Sequence, residues 1–396
     1  MNQNANEFQS SVERTRYIGL DFLKIALVIL VIISHSALPY FIGPNGIWYF
    51  HPRNYNSYFF TPWFFSANAF IINTFFFIAG ILSYYSLKRH SVSNFIENRT
   101  KRLLVPLIFG FLFIIPPLQY YAYLNYEPVT QVSFFNYLFS YWFGLDPKPA
   151  NWVGHYPDMN LGHLWFLEHL IIYSFLLVSL IYILKKFSFT IKLNFYFFVF
   201  IITITACIAT YIIRIYYPVT EMSAVFGFIQ LDYTHVPQNF ILFFSGVYFA
   251  KSNFLIIVND FIRKIFFLFG SFLALLPFII FYLLPSFDFL FYDLIFFSIW
   301  ESLTAVIFSI GSVLYLSKVF KKDNIVIKRL GDLSYIMYVI HVIFVVSLEI
   351  FLENLFNNPI LKFLLVSIGG IILTITFSYV LLMLKDNILK PRKIIS

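Results

Sequence analysis

Ten apolar stretches, each long enough to cross a bilayer, leave this chain little choice of architecture. They fall at 17–41, 64–87, 103–123, 163–184, 194–216, 239–258, 265–285, 294–317, 333–352 and 360–384. A helix of about 20 apolar residues spans the roughly 30 Å of hydrocarbon, and in lipid its backbone must satisfy its own polar groups. Composition agrees: 60% of the residues are hydrophobic and 12% charged, where a soluble domain has about 25% charged. The expected fold is an all-α polytopic membrane protein with about ten transmembrane helices and no soluble domain. The first apolar run is too long for a signal peptide, and no clear small-residue cleavage site follows it. A single cysteine excludes disulfides within the chain and thiolate zinc sites.

Positive charge sets the expected orientation. A net charge of +8 in a soluble protein would point to nucleic acid; here it points to basic cytoplasmic loops, and no nucleic-acid partner is expected. With both termini cytoplasmic, 22 of the 27 Lys and Arg residues fall inside. Arg53, Lys148, Arg214 and Lys362 fall outside, and Lys24 lies within the first span. The expected location is the cell membrane, multi-pass, a bacterial plasma membrane, with lipids as neighbours. Residues 1–15 read as a disordered cytoplasmic tail, 16–385 as the ten-helix membrane domain and 386–396 as a second cytoplasmic tail. Outer segments 42–63 and 124–162 are the longest connections and are rich in Tyr, Trp, Pro, Asn and His. They face either a ligand or the membrane interface.

Titratable groups at membrane depth are expensive and mark candidate function. In RYIGLDFLKIALVILVIISH, residues 16–35, the helical turn of about 100° per residue puts Asp21, Lys24 and His35 on one face. Lys24 and His35 are then separated by about 16 Å along the axis. His35 is either an interior imidazole bonded across the bundle or a general base or nucleophile. Asp21 and Lys24 are spaced to pair. Arg99 and Arg102, opening the third span, either set topology or meet phosphate at a helix amino terminus. In GHLWFLEHLIIY, residues 162–173, His163 and His169 lie near opposite faces, so a metal pair on that helix is not expected. Glu168 and Glu301 sit at comparable depth; either could polarise His35, meet a hydroxyl substrate or cap a structural network, the last being favoured for Glu301. Ser334, Tyr338 and His341 share one face of the ninth span, as hydroxyls and imidazoles that join helices do.

These blocks together resemble acyltransferase family 3, the ten-helix membrane acyltransferases. RYIGLDFLKIALVILVIISH is similar to the family's opening, with Lys24 and His35 as its basic residue and histidine. NTFFFIAGILSYYSL resembles its second span, RTKRLLVPLIFG its Arg-x-x-Arg motif, and LSYIMYVIH its Ser-Tyr-x-x-Tyr-x-x-His helix. GHLWFLEHLIIY resembles the branch with the periplasmic-glucan succinyl-transferring proteins. The resemblance implies transfer of an acetyl or succinyl group from cytoplasmic acyl-coenzyme A to a hydroxyl on an extracytoplasmic glycan or related acceptor. His35 would be the catalytic base, with Glu168 beside it. Lys24, Arg99 and Arg102 would hold the donor, and Asp21, His163, Trp165, Tyr338 and His341 would serve substrate binding. No permanently bound cofactor and no metal are expected. Many members carry an extra soluble domain at the carboxyl end, so here the outer loops or an envelope partner protein would help handle the acceptor. The competing expectation is a transporter or flippase for a lipid-linked sugar or small anionic substrate.

Overall fold

Asparagine starts many of the helices. Side chains of Asn56, Asn194, Asn259, Asn324 and Asn358 each accept a hydrogen bond from a backbone N–H two or three residues on. Asp293 and Ser91 do the same. Each satisfies one of the donors that a helix start leaves open. The computed structural model describes residues 18–42, 48–125, 132–147, 160–184, 192–217, 222–225, 229–322 and 324–389. Its helices are α1 (Ile18–Ile42), α2 (Ser57–Arg89), α3 (Val92–Asn125), α4 (Trp165–Leu184), α5 (Phe195–Tyr216), α6 (Val236–Lys251), α7 (Asp260–Leu283), α8 (Leu294–Val319), α9 (Ile325–Glu353) and α10 (Pro359–Leu389). The fold is all-α and polytopic, as expected. The tail residues 1–15 and 390–396 lie outside the described residues.

Nine of these helices are long and apolar enough to cross a membrane among the described residues. The expected sixth span is different. α6 has 16 residues, about 24 Å at 1.5 Å per residue. The apolar run 239–258 bends after Lys251: Asn253 takes a left-handed conformation (φ 56°) and a short helix, Phe254–Ile257, follows. Apolarity runs through this bend, so the sequence pattern does not reveal it. Before α6 lies an unexpected antiparallel hairpin, β1 (Met222–Val225) and β2 (Ile229–Asp232), with Val225 opposite Ile229 and Met222 opposite Asp232.

α3, capped by Ser91, starts at Val92, well before the predicted 103, and contains two π-helical stretches, Thr100–Leu104 and Gly110–Ile114. Pro106 has no N–H to give the carbonyl four residues earlier. That carbonyl, on Arg102, accepts instead from the Tyr335 hydroxyl at 2.6 Å, which ties α3 to α9.

Two apolar clusters fill the bundle. One joins α5, α7 and α8 to α1, α2 and α6; the other joins α3, α4, α9 and α10 to the same three helices. α1 divides its faces between them, with Leu23, Leu27 and Val31 on one side and Val28 and Ile32 on the other. α2 and α6 touch backbone to backbone, which only glycine permits. A Cβ on Gly80 would lie 1.9 Å from the Phe243 carbonyl oxygen, and one on Gly246 2.2 Å from that of Phe77. Small residues at such crossings let membrane helices gain close packing without a hydrophobic driving force. Gly80→Ala is therefore expected to lower the melting midpoint of the solubilised protein sharply, overpacking costing about 1–3 kcal/mol or more. Gly370→Ala, whose Cβ would meet side-chain methyl groups at 3.4 and 3.5 Å, should leave the midpoint near wild type.

Candidate active site

α1 and α9 lie side by side in the bundle, and they bring two imidazoles together. His35 Nδ1 is 2.9 Å from His341 Nε2, with the rings within 14° of parallel. The direction of this bond is set one step further on. His341 Nδ1 lies 2.7 Å from the Tyr338 carbonyl oxygen, which can only accept, so that nitrogen carries the hydrogen. In the neutral pair His341 Nε2 is then the acceptor, and His35 donates its Nδ1–H to it. The lone pair of His35 falls on Nε2.

His35 lines a cavity of about 270 Å³ together with Trp48, Gly162, His163, Trp165, Asp232 and Tyr338, the rest of the wall being largely apolar. The Trp48 ring lies 5.1 Å from that of His35 between centroids, tilted by 49°. Its indole N–H donates to Glu349 Oε2 at 2.9 Å, so a loop residue is locked to α9. His163 comes in from a 3₁₀ turn, Gly162–Leu164, at the start of α4. Its Nε2–H donates to the Val339 carbonyl at 2.9 Å, and its ring meets His341 edge-on at 5.1 Å. The Tyr338 hydroxyl donates to the His163 carbonyl oxygen. Gly162 makes this turn at φ +51°, and a Cβ there would lie 2.3 Å from the Tyr49 hydroxyl.

The sequence matches the family model described as an acyltransferase domain over residues 17–383, nearly its whole length. This chain belongs to that acyltransferase 3 family. No curated protein and no solved structure matches it. It is a multi-pass membrane protein with an acyltransferase domain. Of the residues expected at the acyltransferase's site, His35, His163, Trp165 and Tyr338 line one cavity, and His341 stands directly behind His35.

The others lie apart. Glu168 is buried in the first turn of α4 and is not among the residues lining the cavity. The described partner of His35 is an imidazole and not that carboxylate. Lys24 pairs with Asp21 at 2.8 Å, as their spacing suggested, some three turns of α1 from His35. The Arg99 guanidinium turns inward, donating to Ser83 Oγ at 2.7 Å and lying 5.2 Å from the Phe95 ring centroid, while Arg102 is exposed. Neither arginine stands at a helix amino terminus, because α3 begins at Val92; the open backbone donors expected there are absent. Among the described residues no group of His, Cys, Asp and Glu could hold a metal ion.

Trp48, Asp232 and Glu349 escaped the sequence reading. Glu349 carried a legible signal, a carboxylate inside an apolar span. Trp48 and Asp232 sit in segments whose course the sequence pattern did not give.

A second polar network closes the cavity on the side of β2. Glu301, fully buried in α8, pairs with Arg214 of α5 and accepts from Gln238 Nε2 at 3.0 Å. His235 bridges two carboxylates, with Nδ1 2.5 Å from Asp232 Oδ2 and Nε2 3.1 Å from Glu301 Oε1. This is the structural role favoured for Glu301. Burial opposes charge on His235, but the carboxylates of Asp232 and Glu301 outweigh it and push its pKa up from 6.5 to about 10. A raised native pKa stabilises the fold fully below 6.5, and the contribution is lost as pH rises towards about 10. The melting midpoint should accordingly fall across that window in the wild type. His235→Gln should begin lower and show a flatter pH profile, measured by thermal unfolding in detergent.

Proposed function

We propose that the protein transfers an acetyl- or succinyl-class acyl group from cytoplasmic acyl-coenzyme A to a hydroxyl of an extracytoplasmic glycan or related acceptor, with His35 as general base. The observation that carries this reading is the unprotonated His35 Nε2 on the cavity wall, left there by the bond to His341 and the Tyr338 carbonyl. Membership of an acyltransferase family supplies the reaction class, and the excess of Lys and Arg on one side supplies the orientation.

In this mechanism the acceptor hydroxyl gives its proton to His35 Nε2 as its oxygen attacks the thioester carbonyl carbon. A C–O bond forms, the tetrahedral intermediate collapses with loss of the C–S bond, and the proton on Nε2 passes to the departing thiolate. While protonated, His35 keeps its Nδ1–H bond to His341 and lies against the Trp48 ring. Tyr338 holds both the tautomer of His341, through its carbonyl, and the His163 turn, through its hydroxyl. His341 is thus a positioning residue. Lys24, Arg99 and Arg102 serve the donor's phosphates at the opposite end of the bundle as side-chain cations, without help from a helix terminus.

His35→Ala should lower acylation in membranes by about 10²–10⁴-fold, the usual worth of a general base. His341→Phe should lower it less and shift its pH dependence, since the His35 tautomer is then no longer fixed. Near-normal acylation by His35→Ala would refute the assignment. Coenzyme A should raise the melting midpoint of the purified protein, and the double variant Arg99→Ala with Arg102→Ala should remove that shift.

A further inference from the structure

The polar groups with fixed hydrogen-bond directions around the cavity are unbalanced. Trp48 and Tyr338 spend their donors on Glu349 and on the His163 carbonyl. Ser34 donates to the Leu30 carbonyl at 2.8 Å, which leaves its oxygen lone pairs. His163 gives its Nε2–H to Val339, and its Nδ1 is buried out of the cavity's reach. His35 Nε2 is an acceptor on the wall.

Asp232 adds a carboxylate. Its side chain is 23% exposed, against 0% for Glu301, so of the two carboxylates in that network Asp232 alone reaches the cavity. His235 donates to Oδ2 at 2.5 Å and Thr234 to Oδ1 at 2.7 Å. Two carboxylate oxygens offer about four lone-pair sites, so acceptor capacity remains. His235 cannot swing away, because its other nitrogen is bound to Glu301. The carboxylate is both held and aimed.

We propose that Asp232 selects the acceptor, and that the unit it admits is uncharged and polyhydroxylated, giving a hydroxyl hydrogen to Asp232 while a further hydroxyl reacts at His35. The inference rests on the acyl-transfer reading above. A fixed set of acceptors calls for a ligand rich in donors, and because Asp232 is already paired with His235 and Glu301 with Arg214, the wall has no spare charge to meet an ionic unit taken out of water. Asn68 and Trp165 on the same wall carry donors as well. A hydroxyl group, which gives and takes, satisfies such a wall; an ammonium group, which only gives, does not. About 270 Å³ lies near the bottom of the range for ligand pockets, about 300–1,000 Å³. That suits one ring-sized unit of a larger acceptor.

The first test uses the wild-type chain in its own host. Esters that disappear on deletion of the gene and return on complementation are located by mass spectrometry. The acylated unit should be neutral, joined through oxygen, and carry at least two free hydroxyls. A uronate, a phosphate-bearing unit or an amide product would overturn the proposal. The second test supplies the deacylated acceptor and acyl-coenzyme A to membranes. Asp232→Asn should raise the acceptor KM by roughly 10- to 100-fold, the effect of losing a hydrogen bond to a charged group, with a smaller change in kcat. Asp232→Glu should recover part of it, and the melting shift caused by coenzyme A should persist in both. An unchanged KM in Asp232→Asn overturns the proposal. If that variant misfolds and loses the coenzyme A shift, the chemistry of the wild-type product still decides. Activity in His35→Ala would instead bring down the acyl-transfer reading itself, so the two failures are told apart.

Discussion

The hydrogen bond from His35 to His341 is the contact on which the site depends. It joins residues 306 positions apart and fixes which nitrogen of His35 carries a hydrogen. That choice is made by a backbone carbonyl, the least adjustable acceptor available, and passes through one ring to the next. Tyr338 supplies the carbonyl and also holds the His163 turn with its hydroxyl. A single turn of α9 thereby sets two of the three imidazoles. Trp48 covers the third side of His35 and is itself held by Glu349, two turns further along α9. With hydrocarbon around the bundle, each such bond is difficult to replace by water, which is why one helix can organise so much.

The same scarcity of water explains the rest of the polar interior. Arg214, Glu301, His235 and Asp232 form an alternating chain of charge from α5 to the end of β2. Arg263, on α7, spends its guanidinium on the carbonyls of Leu255, Val258 and Leu314. Lys362, almost fully buried, meets Glu353 at 2.5 Å. These residues carry charge that a simple count assigns to loops and topology, yet each is consumed in joining helices. Helix contact itself comes from fit, most plainly where Gly80 and Gly246 bring α2 and α6 together.

Much of the fold was legible because bilayer thickness imposes one length scale on every span. Nine long helices lie where apolarity put them, though α2, α3, α7 and α9 begin earlier, since a helix continues to its cap and not to the edge of the apolar run. His35 was legible through its cost at depth, and Tyr338 and His341 through their shared helix face. The partner of His35 was not, because a face does not say which other helix it meets; the imidazole of His341 holds that place. Asp232 was hidden by the hairpin, whose short strands leave no span-length pattern. Trp48 was one of many aromatic residues in an outer loop, where aromatic residues are common anyway. The family's blocks spoke for the reaction class, while the hydrogen-bond directions came only from three-dimensional neighbours.

The brevity of α6 changes how thick the protein is at its centre. α6 falls about 6 Å short of the hydrocarbon core, and α2 and α5 flank it. A short helix facing lipid would pull the bilayer inward at a cost of a fraction of a kcal/mol per Å. Here full-length neighbours pack against it on both sides. The molecule is crossed here by a helix of 16 residues enclosed by full-length neighbours, with the short helix Phe254–Ile257 carrying the apolar run on past the bend.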